Sequence, residues 1–259
     1  MTEAVLARRE RRRRRVTVVL PAYNEEAAIA PLLDRLDAAF EEEGWSGDVL
    51  VVNDGSTDGT AAVVRGHRGR LDVRLLEFDS NRGLAEAMKA GLLAAAAGAE
   101  PDDVIVTMDA DNTHTPDLIP RMVRTIREGS DVVIASRWQP GSRTRGVSWR
   151  RRLFSRGANL LFRSVVRIPG VRDYTCGYRA YRAGLLQTAI ARYHDRLVQQ
   201  RGFSCTAEIL VRLRVFDPIV HEVPLILRYD FKPGASKIKV ARTIGDTLAL
   251  LVRAAFRRP

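Results

Sequence analysis

Two cysteines in 259 residues, Cys176 and Cys205, are too few for a disulfide framework, and a reducing, cytoplasmic location is the default for such a chain. The four histidines, His67, His114, His194 and His221, are scattered without metal-ligand spacing, which counts against a histidine-built metal site. No run of about 20 apolar residues occurs, so no membrane-spanning helix is expected. The N-terminus lacks the apolar core of a secretion signal, and no internal repeat is present. Neither a Walker A sequence nor G-x-G-x-x-G occurs, which counts against P-loop ATPases and dinucleotide-binding dehydrogenases. The most local absence is of acid: from Val132 to Arg172 there is no aspartate or glutamate, yet there are ten arginines.

What is present is enough apolar content, 46%, for one large α/β domain. The formal net charge is +11. Seven arginines among residues 8–15, against Glu3 and Glu10, give residues 1–15 a net charge of +5. That segment reads as a disordered, solvated tail able to hold to anionic lipid headgroups or to any polyanion.

Short apolar runs alternate with helical patterns. Val16–Leu20 (VTVVL) reads as a buried strand stopping at Pro21, with a helix over about Glu25 to Phe40. Val49–Asn53, Val73–Glu77, Val104–Met108 and Asp131–Ala135 read as further strands, with helices from about Thr57, over Leu84–Ala97 and from near Pro116. Such alternation predicts βαβ units and a parallel sheet. Polar loops follow the strands: PAYNE, NDGSTDG, DAD and SRW. In a parallel sheet they face one crevice beyond the carboxyl ends of the strands, where ligands bind. Farther on, Arg150–Arg167 and Glu208–Phe216 read as helices and His221–Leu227 as an edge strand because of Pro224. Thr243–Phe256 reads as an amphipathic terminal helix, broken by Asp246 and Arg253, that can lie on a membrane but not span it.

Asp109 and Asp111 stand at the end of VIVT, where alternation turns residues i and i+2 to the same side. Two converging carboxylates repel unless a cation lies between them, and Mg²⁺ or Mn²⁺ shared with substrate phosphates is the natural candidate. A capped, solvated turn accounts for the same residues, since Asn112, Thr113 and Thr115 are good caps. Glu25 and Glu26 suit the first turn of a helix whatever else they do. Asp54, at a strand tip before Gly55, can accept hydrogen bonds from a base or ribose, or serve as an ordinary turn residue. The arginine run, with Arg150-Arg151-Arg152 and then Ser155-Arg156 at its centre, suits a phosphate acceptor or a lipid surface by its fork geometry. It has few flanking aromatics for stacking on nucleic acid.

Taken in order, PAYNEE (21–26), NDGSTDGT (53–60), NRGLAEAMKAG (81–91), DADNTHTP (109–116), ASRW (135–138), SRGANLLF (155–162), DYTCGYRAY (173–181), GFSCTAEILVRLR (202–214) with HEVP (221–224), and GASKI (234–238) resemble the family 2 glycosyltransferases, and most closely the dolichyl- or polyprenyl-phosphate mannosyltransferases. The likeness covers about residues 16–245. It implies a glycosyltransferase-A fold, a largely parallel Rossmann-like sheet flanked by helices, with a catalytic domain over residues 16–240 and an amphipathic helical extension over 241–259. It implies an inverting transfer of a hexose, mannose from GDP-mannose above all, to a polyprenyl or dolichyl phosphate on the cytoplasmic face of a membrane. By position, the resemblance places Pro21, Tyr23, Glu25, Asp54 and Ser56 against the donor nucleoside, and Asp109 and Asp111 on a Mg²⁺ or Mn²⁺ ion at the donor diphosphate. It places Arg228 or Lys237 at the donor phosphates, and Arg137, Arg151 and Ser155 at the acceptor phosphate. A separate membrane-anchor subunit is a possible partner. Transfer of another sugar, such as glucose from UDP-glucose, or to a non-lipid acceptor is the alternative enzyme reading. A basic membrane- or nucleic-acid-binding module on a degenerate transferase fold is the non-enzyme one, and the intact aspartate pair argues against it. Three positions depart from the family. Thr113 stands where close relatives carry a metal-binding glutamine, leaving the third place to water, His114 or another group. Asn53-Asp54 replaces Asp-Asp. Asp230, between Arg228 and Lys232, replaces an arginine six residues past Pro224.

Overall fold

The β-branched runs of the first half become parallel strands in the computed structural model, which describes residues 15–45, 47–147, 149–200, 202, 204–231 and 245, without the side chains of Arg150, Arg151 and Phe154. Through the first half run β1 (Val16–Ala22), α1 (Glu26–Glu42), β2 (Gly47–Asn53), α2 (Thr60–Gly66), β3 (Asp72–Glu77), α3 (Leu84–Ala97) and β4 (Val104–Thr107). A 3-10 turn at Pro116–Leu118 leads into α4 (Ile119–Arg127), followed by β5 (Val132–Ser136). The second half holds β6 (Arg143–Arg145), α5 (Trp149–Val165), β7 (Arg179–Arg182), α6 (Ala183–Tyr193), α7 (Ser204–Leu213), β8 (Val220–Pro224) and β9 (Ile226–Arg228).

The main sheet has seven strands in the order β3-β2-β1-β4-β7-β5-β8. All its pairings are parallel except the two made by β7, which runs antiparallel between β4 and β5. β1, β2, β4 and β5 are buried almost throughout, as strands covered on both faces must be. The carboxyl ends of the parallel strands share one edge. β7 enters the sheet there, since Thr107 pairs with Arg179 and its hydroxyl donates to the Gly177 carbonyl at 2.7 Å. β6 and β9 form a separate two-stranded parallel sheet.

Several expectations shift in detail. β1 continues through Pro21 to Ala22. The Val19 carbonyl faces β4 and accepts from Met108, whereas the Ala22 carbonyl faces β2 and accepts from Asp54. Pro21 therefore turns toward β4, whose pairing with β1 has already ended at Val19 with Thr107, and its missing N–H removes no ladder bond. α2 starts at Thr60 rather than Thr57, because Thr57 and Gly59 give their amides to Asn24 and Glu26. The single edge strand over His221–Leu227 divides at Pro224: β8 lies on β5, and β9 crosses to β6. Arg15, read as the end of the tail, instead pairs with Asp48 at 3.3 Å. Residues 1–14 and the Thr243–Phe256 segment, apart from Gly245, lie outside the described residues. β7 and α6 had no counterpart in the sequence reading.

α3 packs on β1 and β2 through a glycine. A Cβ on Gly91 would lie 2.4 Å from Val19 Cγ1 and 3.1 Å from Val52 Cγ2, both in the interior. Gly91→Val is predicted to lower the unfolding free energy by about 1–3 kcal/mol through overpacking, read as a reduced urea midpoint with unchanged slope.

Candidate active site

The edge formed by the carboxyl ends of the strands carries two loops that fasten each other. After β1 and β2, Asn24 donates its amide to Ser56 Oγ (2.9 Å) and accepts at its side-chain oxygen from the Thr57 amide (2.8 Å). The Glu25 amide donates to Thr60 Oγ1 (2.9 Å), and Glu26 and Asp58 exchange bonds with each other's loops. Asn53 fixes the turn by accepting from the Ser56 amide (3.1 Å) and donating to Glu77 (3.1 Å), so the asparagine that departs from the family sets loop shape.

Asp54 reaches the third loop. Its carboxylate accepts from the Arg82 amide (2.7 Å), the Gly83 amide (2.8 Å) and the Asn81 side chain (3.0 Å). Burial raises its pKa from the usual 3.8, against those amide bonds and the Arg82 charge. Gly55, at φ +64°, lets the chain pass there, since a Cβ would meet the Ser80 carbonyl carbon at 2.3 Å. Asp54 therefore shapes the wall formed by residues 81–83.

Asp109 and Asp111 lie in the loop beyond β4, not on the strand, so strand alternation does not orient them. Asn112 adopts a left-handed conformation, φ 64°, and its side chain donates to the Ala28 carbonyl of α1 (2.8 Å). Asp111 is buried, and its Oδ1 accepts from both the amide (3.1 Å) and the hydroxyl (2.7 Å) of Thr113. Thr113 therefore holds the carboxylate that it follows. His114 accepts from the Asp109 amide at Nδ1 (3.1 Å) and stacks on Tyr178 with centroids 4.9 Å apart. That bond engages the ring nitrogen nearer to Asp109, which lies 4.0 Å from a carboxylate oxygen. Asp109 also borders Gly177, where a Cβ would stand 3.8 Å from its Oδ1.

Four residues before Gly177 lies the anchor of a basic region. Asp173, with no exposed surface, accepts from the Arg137 amide (3.0 Å), Nε (2.8 Å) and Nη2 (2.6 Å), and from the amides of Thr175 (3.2 Å) and Cys176 (3.1 Å). Burial acts to raise its pKa, but the Arg137 charge and these bonds hold it below the usual 3.8. Arg137 Nη2 also donates to Thr175 Oγ1 (2.6 Å). Asn159 ties α5 to the same loop, accepting from the Tyr174 amide (2.6 Å) and donating to Thr175 Oγ1 (3.2 Å). Glu222 of β8 accepts the amides of Arg172 and Asp173, both at 2.6 Å. The Ser155 hydroxyl, one turn before Asn159, is buried and has no hydrogen-bond partner among the described residues.

The sequence-predicted residues thus divide. Pro21, Tyr23, Glu25, Asp54 and Ser56 share the interlocked loops; Asp109 and Asp111 stand in the next loop; Arg137 and Ser155 belong to the basic side. Arg228 meets the aspartate loop through its amide, which donates to the Thr113 carbonyl (2.9 Å), while its guanidinium pairs with Asp230 (2.9 Å) and covers the Phe231 ring (3.7 Å). Lys237 and the Arg151 side chain lie outside the described residues. Asp173, Asn159 and Glu222 were missed, although all three fall within the quoted motifs; a buried role leaves no mark of its own in one sequence. Both cysteine thiols are pushed up to about 12 by burial, so neither supplies a thiolate.

Residues 17–189 match the sequence model of the family described as Glycosyl transferase family 2. The chain is 29% identical to the dolichol-phosphate mannosyltransferase of Pyrococcus furiosus over 240 residues, which cover 92% of this chain and 63% of that protein. It is 35% identical to the polyprenol monophosphomannose synthase of Mycolicibacterium smegmatis over 179 residues, 67% of this chain and 63% of that one. The match thus spans about 63% of the length of both curated relatives. Glucosyl-3-phosphoglycerate synthase from Mycobacterium tuberculosis, solved with Mn²⁺, uridine diphosphate and phosphoglyceric acid, superposes with a TM-score of 0.65 at 20% identity, covering 95% of this chain and 80% of that one. The superposition and the family match identify the glycosyltransferase-A fold.

Removing the carboxylate of Asp173 strands the Arg137 charge. Asp173→Ala is predicted to cost about 3–5 kcal/mol in urea unfolding. Because the folded-state pKa of Asp173 is lowered, the stability due to its ionised form is complete above the ordinary aspartate value of 3.8 and is lost as pH falls below it. The stability gap between wild type and Asp173→Asn should accordingly stay constant through neutral pH and narrow only under acid.

Proposed function

Because the chain belongs to glycosyl transferase family 2, we propose that it is an inverting glycosyltransferase that moves a hexose from a nucleotide sugar to a polyprenyl or dolichyl phosphate at a membrane surface. Mannose from GDP-mannose is the donor we assign, in keeping with the mannosyl transfer named for the two relatives. One juxtaposition carries the reading: the aspartate loop and the arginine-bearing loop meet at Gly177, which touches Asp109 on one side and follows the Asp173–Arg137 anchor on the other. A metal-bound donor diphosphate calls for carboxylates and an anionic acceptor for basic groups, and this edge carries residues of both kinds.

In the proposed reaction an acceptor phosphate oxygen forms a bond to the anomeric carbon. The bond from that carbon to the diphosphate oxygen breaks, and its electron pair leaves with the nucleoside diphosphate. The attacking phosphate is anionic near neutral pH, so no general base is required. Arg137 and Arg151, with Ser155, are assigned to orient it. Pro21, Tyr23, Glu25 and Ser56 form the nucleoside side, where Asp54 acts through the 81–83 loop. Arg228 and Lys237 are assigned to the donor phosphates.

Asp109 and Asp111 offer hard oxygen donors suited to Mg²⁺ or Mn²⁺. No group of three or more histidine, cysteine, aspartate or glutamate side chains able to hold a metal ion is found among the described residues, so water and donor phosphate would complete the shell. Such a cation, when bound, neutralises charge developing on the leaving diphosphate. Thr113, rather than providing a further ligand, fixes the orientation of Asp111.

The deciding measurement is a screen of radiolabelled nucleotide sugars with a polyprenyl phosphate and Mg²⁺ or Mn²⁺. Charged glycolipid from GDP-mannose is the expected product. Product from UDP-glucose alone would replace the sugar assignment, and no product from any donor would refute the transferase reading. Asp111→Asn is expected to abolish metal-dependent turnover in a folded protein. Thr113→Val should weaken Mn²⁺ binding about 10-fold, measured by electron paramagnetic resonance in the presence of the nucleoside diphosphate, as the loss of a supporting hydrogen bond does at other metal sites. Unchanged Mn²⁺ affinity would remove Thr113 from that role.

A further inference from the structure

α5 differs from an ordinary surface helix in exposing an apolar stripe on its outer side. Its inner side is settled: Asn159 and Phe162 are buried, Asn159 is bonded to the 173–175 loop, and Phe162 stacks on Tyr174 with centroids 5.4 Å apart. At about 100° per residue the opposite side carries Trp149, Leu153, Leu160 and Leu161. These are 68%, 59%, 67% and 45% exposed. Five of the nine large hydrophobic residues found exposed among the described residues lie on this one helix, which makes them a patch rather than a scatter. Arg152, Arg156 and Arg163, all exposed, line one border of the stripe. No acidic residue lies between Asp131 and Asp173, so nothing in this stretch offsets their charge.

We propose that the outer face of α5 docks the protein on an anionic lipid bilayer. The helix would lie in the plane of the headgroups, with Leu153, Leu160, Leu161 and Trp149 inserted and the bordering arginines at the phosphates. Charge complementarity selects this occupant. A second copy would bring two arginine borders together, and a nucleic acid backbone makes no use of leucines along the centre of the stripe. The inference deepens the lipid-phosphate reading above and rests on it for its purpose. No described helix is long and apolar enough to cross a membrane, so a docked helix is the contact the described fold offers. Ser155 and Asn159 belong to the same helix, so docking its outer face brings the candidate acceptor site to the lipid surface.

The test uses the full chain and vesicles of phosphatidylcholine and phosphatidylglycerol, with tryptophan fluorescence quenched by lipids brominated on the acyl chains. Quenching reports insertion, which electrostatic adhesion of the arginine-rich N-terminus does not produce. Wild type should be quenched and Trp149→Phe should lose most of that quenching, since Trp45 lies on another element and Trp138 is half-buried beneath Arg156. Leu153→Glu with Leu160→Glu should abolish quenching and weaken vesicle binding about 10-fold or more. Arg156→Glu with Arg163→Glu should weaken binding to the anionic vesicles and leave the fold intact by circular dichroism. An unquenched wild type, quenching that survives the leucine substitutions, or a dimer in solution that those substitutions dissolve would each overturn the proposal. The leucine variant should also match wild type in transfer to a short water-soluble prenyl phosphate while losing transfer to an acceptor embedded in vesicles. If wild type transfers sugar to neither acceptor, the lipid-phosphate reading fails, and the quenching result still decides the docking surface.

Discussion

Asp173 is a carboxylate with no contact with water, and the basic half of the crevice is arranged around neutralising it. Several kcal/mol of desolvation must be recovered for each ion of such a pair, which demands a tight geometry. Arg137 spans both carboxylate oxygens with two guanidinium nitrogens, and the amides of residues 175–176 add to Oδ1. Each partner brings an element with it: Arg137 the end of β5, Thr175 and Asn159 the helix α5, and Glu222 the edge strand β8. The loop before β7 is thereby fixed at the point where it passes Asp109.

The acidic half uses the converse arrangement. Its carboxylates are met chiefly by backbone amides and hydroxyls: Asp54 by residues 81–83, Asp58 by Thr60 and Glu26, and Asp111 by Thr113. Neutral donors such as these orient a carboxylate without adding a charge of their own. Arg137, by contrast, has its charge balanced before any ligand arrives. The two sides therefore differ in how their carboxylates are held, by neutral donors at Asp54 and by a guanidinium at Asp173.

β1, β2, β4 and β5 were legible because VTVVL, VLVV, VIVT and VVIA are short, rich in β-branched residues and almost wholly apolar, as strands buried on both faces are, and the intervening helices follow from their periodicity. β7 was not legible. Its sequence, RAYR, opens with an arginine that is fully buried, and only tertiary contacts make that possible: the guanidinium donates to the carbonyls of Tyr174 (2.7 Å) and Thr206. Pro21 misled for a related reason, since whether a strand tolerates proline depends on which neighbour has already ended. Asp109 and Asp111 were singled out as converging by strand alternation, but they lie beyond β4, and Asn112, Thr113 and His114 set the shape of their loop. Thr113, read as standing where a ligand is lost, also bonds to Asp111 through its amide and hydroxyl.

α5 joins these local arrangements to the surroundings of the protein. A helix in a water-soluble domain ordinarily buries its apolar stripe and exposes its polar one. Here the inner side holds Asn159, which closes the Asp173 network, beside the buried Phe162, while leucines also face outward. The inward asparagine and the outward leucines follow from one requirement, if the acceptor is a phosphate at the end of a lipid. The phosphate must reach an oriented polar pocket, while the chain attached to it must remain in an apolar phase. A single helix with Asn159 on its inner side and Leu160, the next residue, on its outer side satisfies both within its own diameter, about 10 Å, and no separate channel is needed to carry the phosphate to the site.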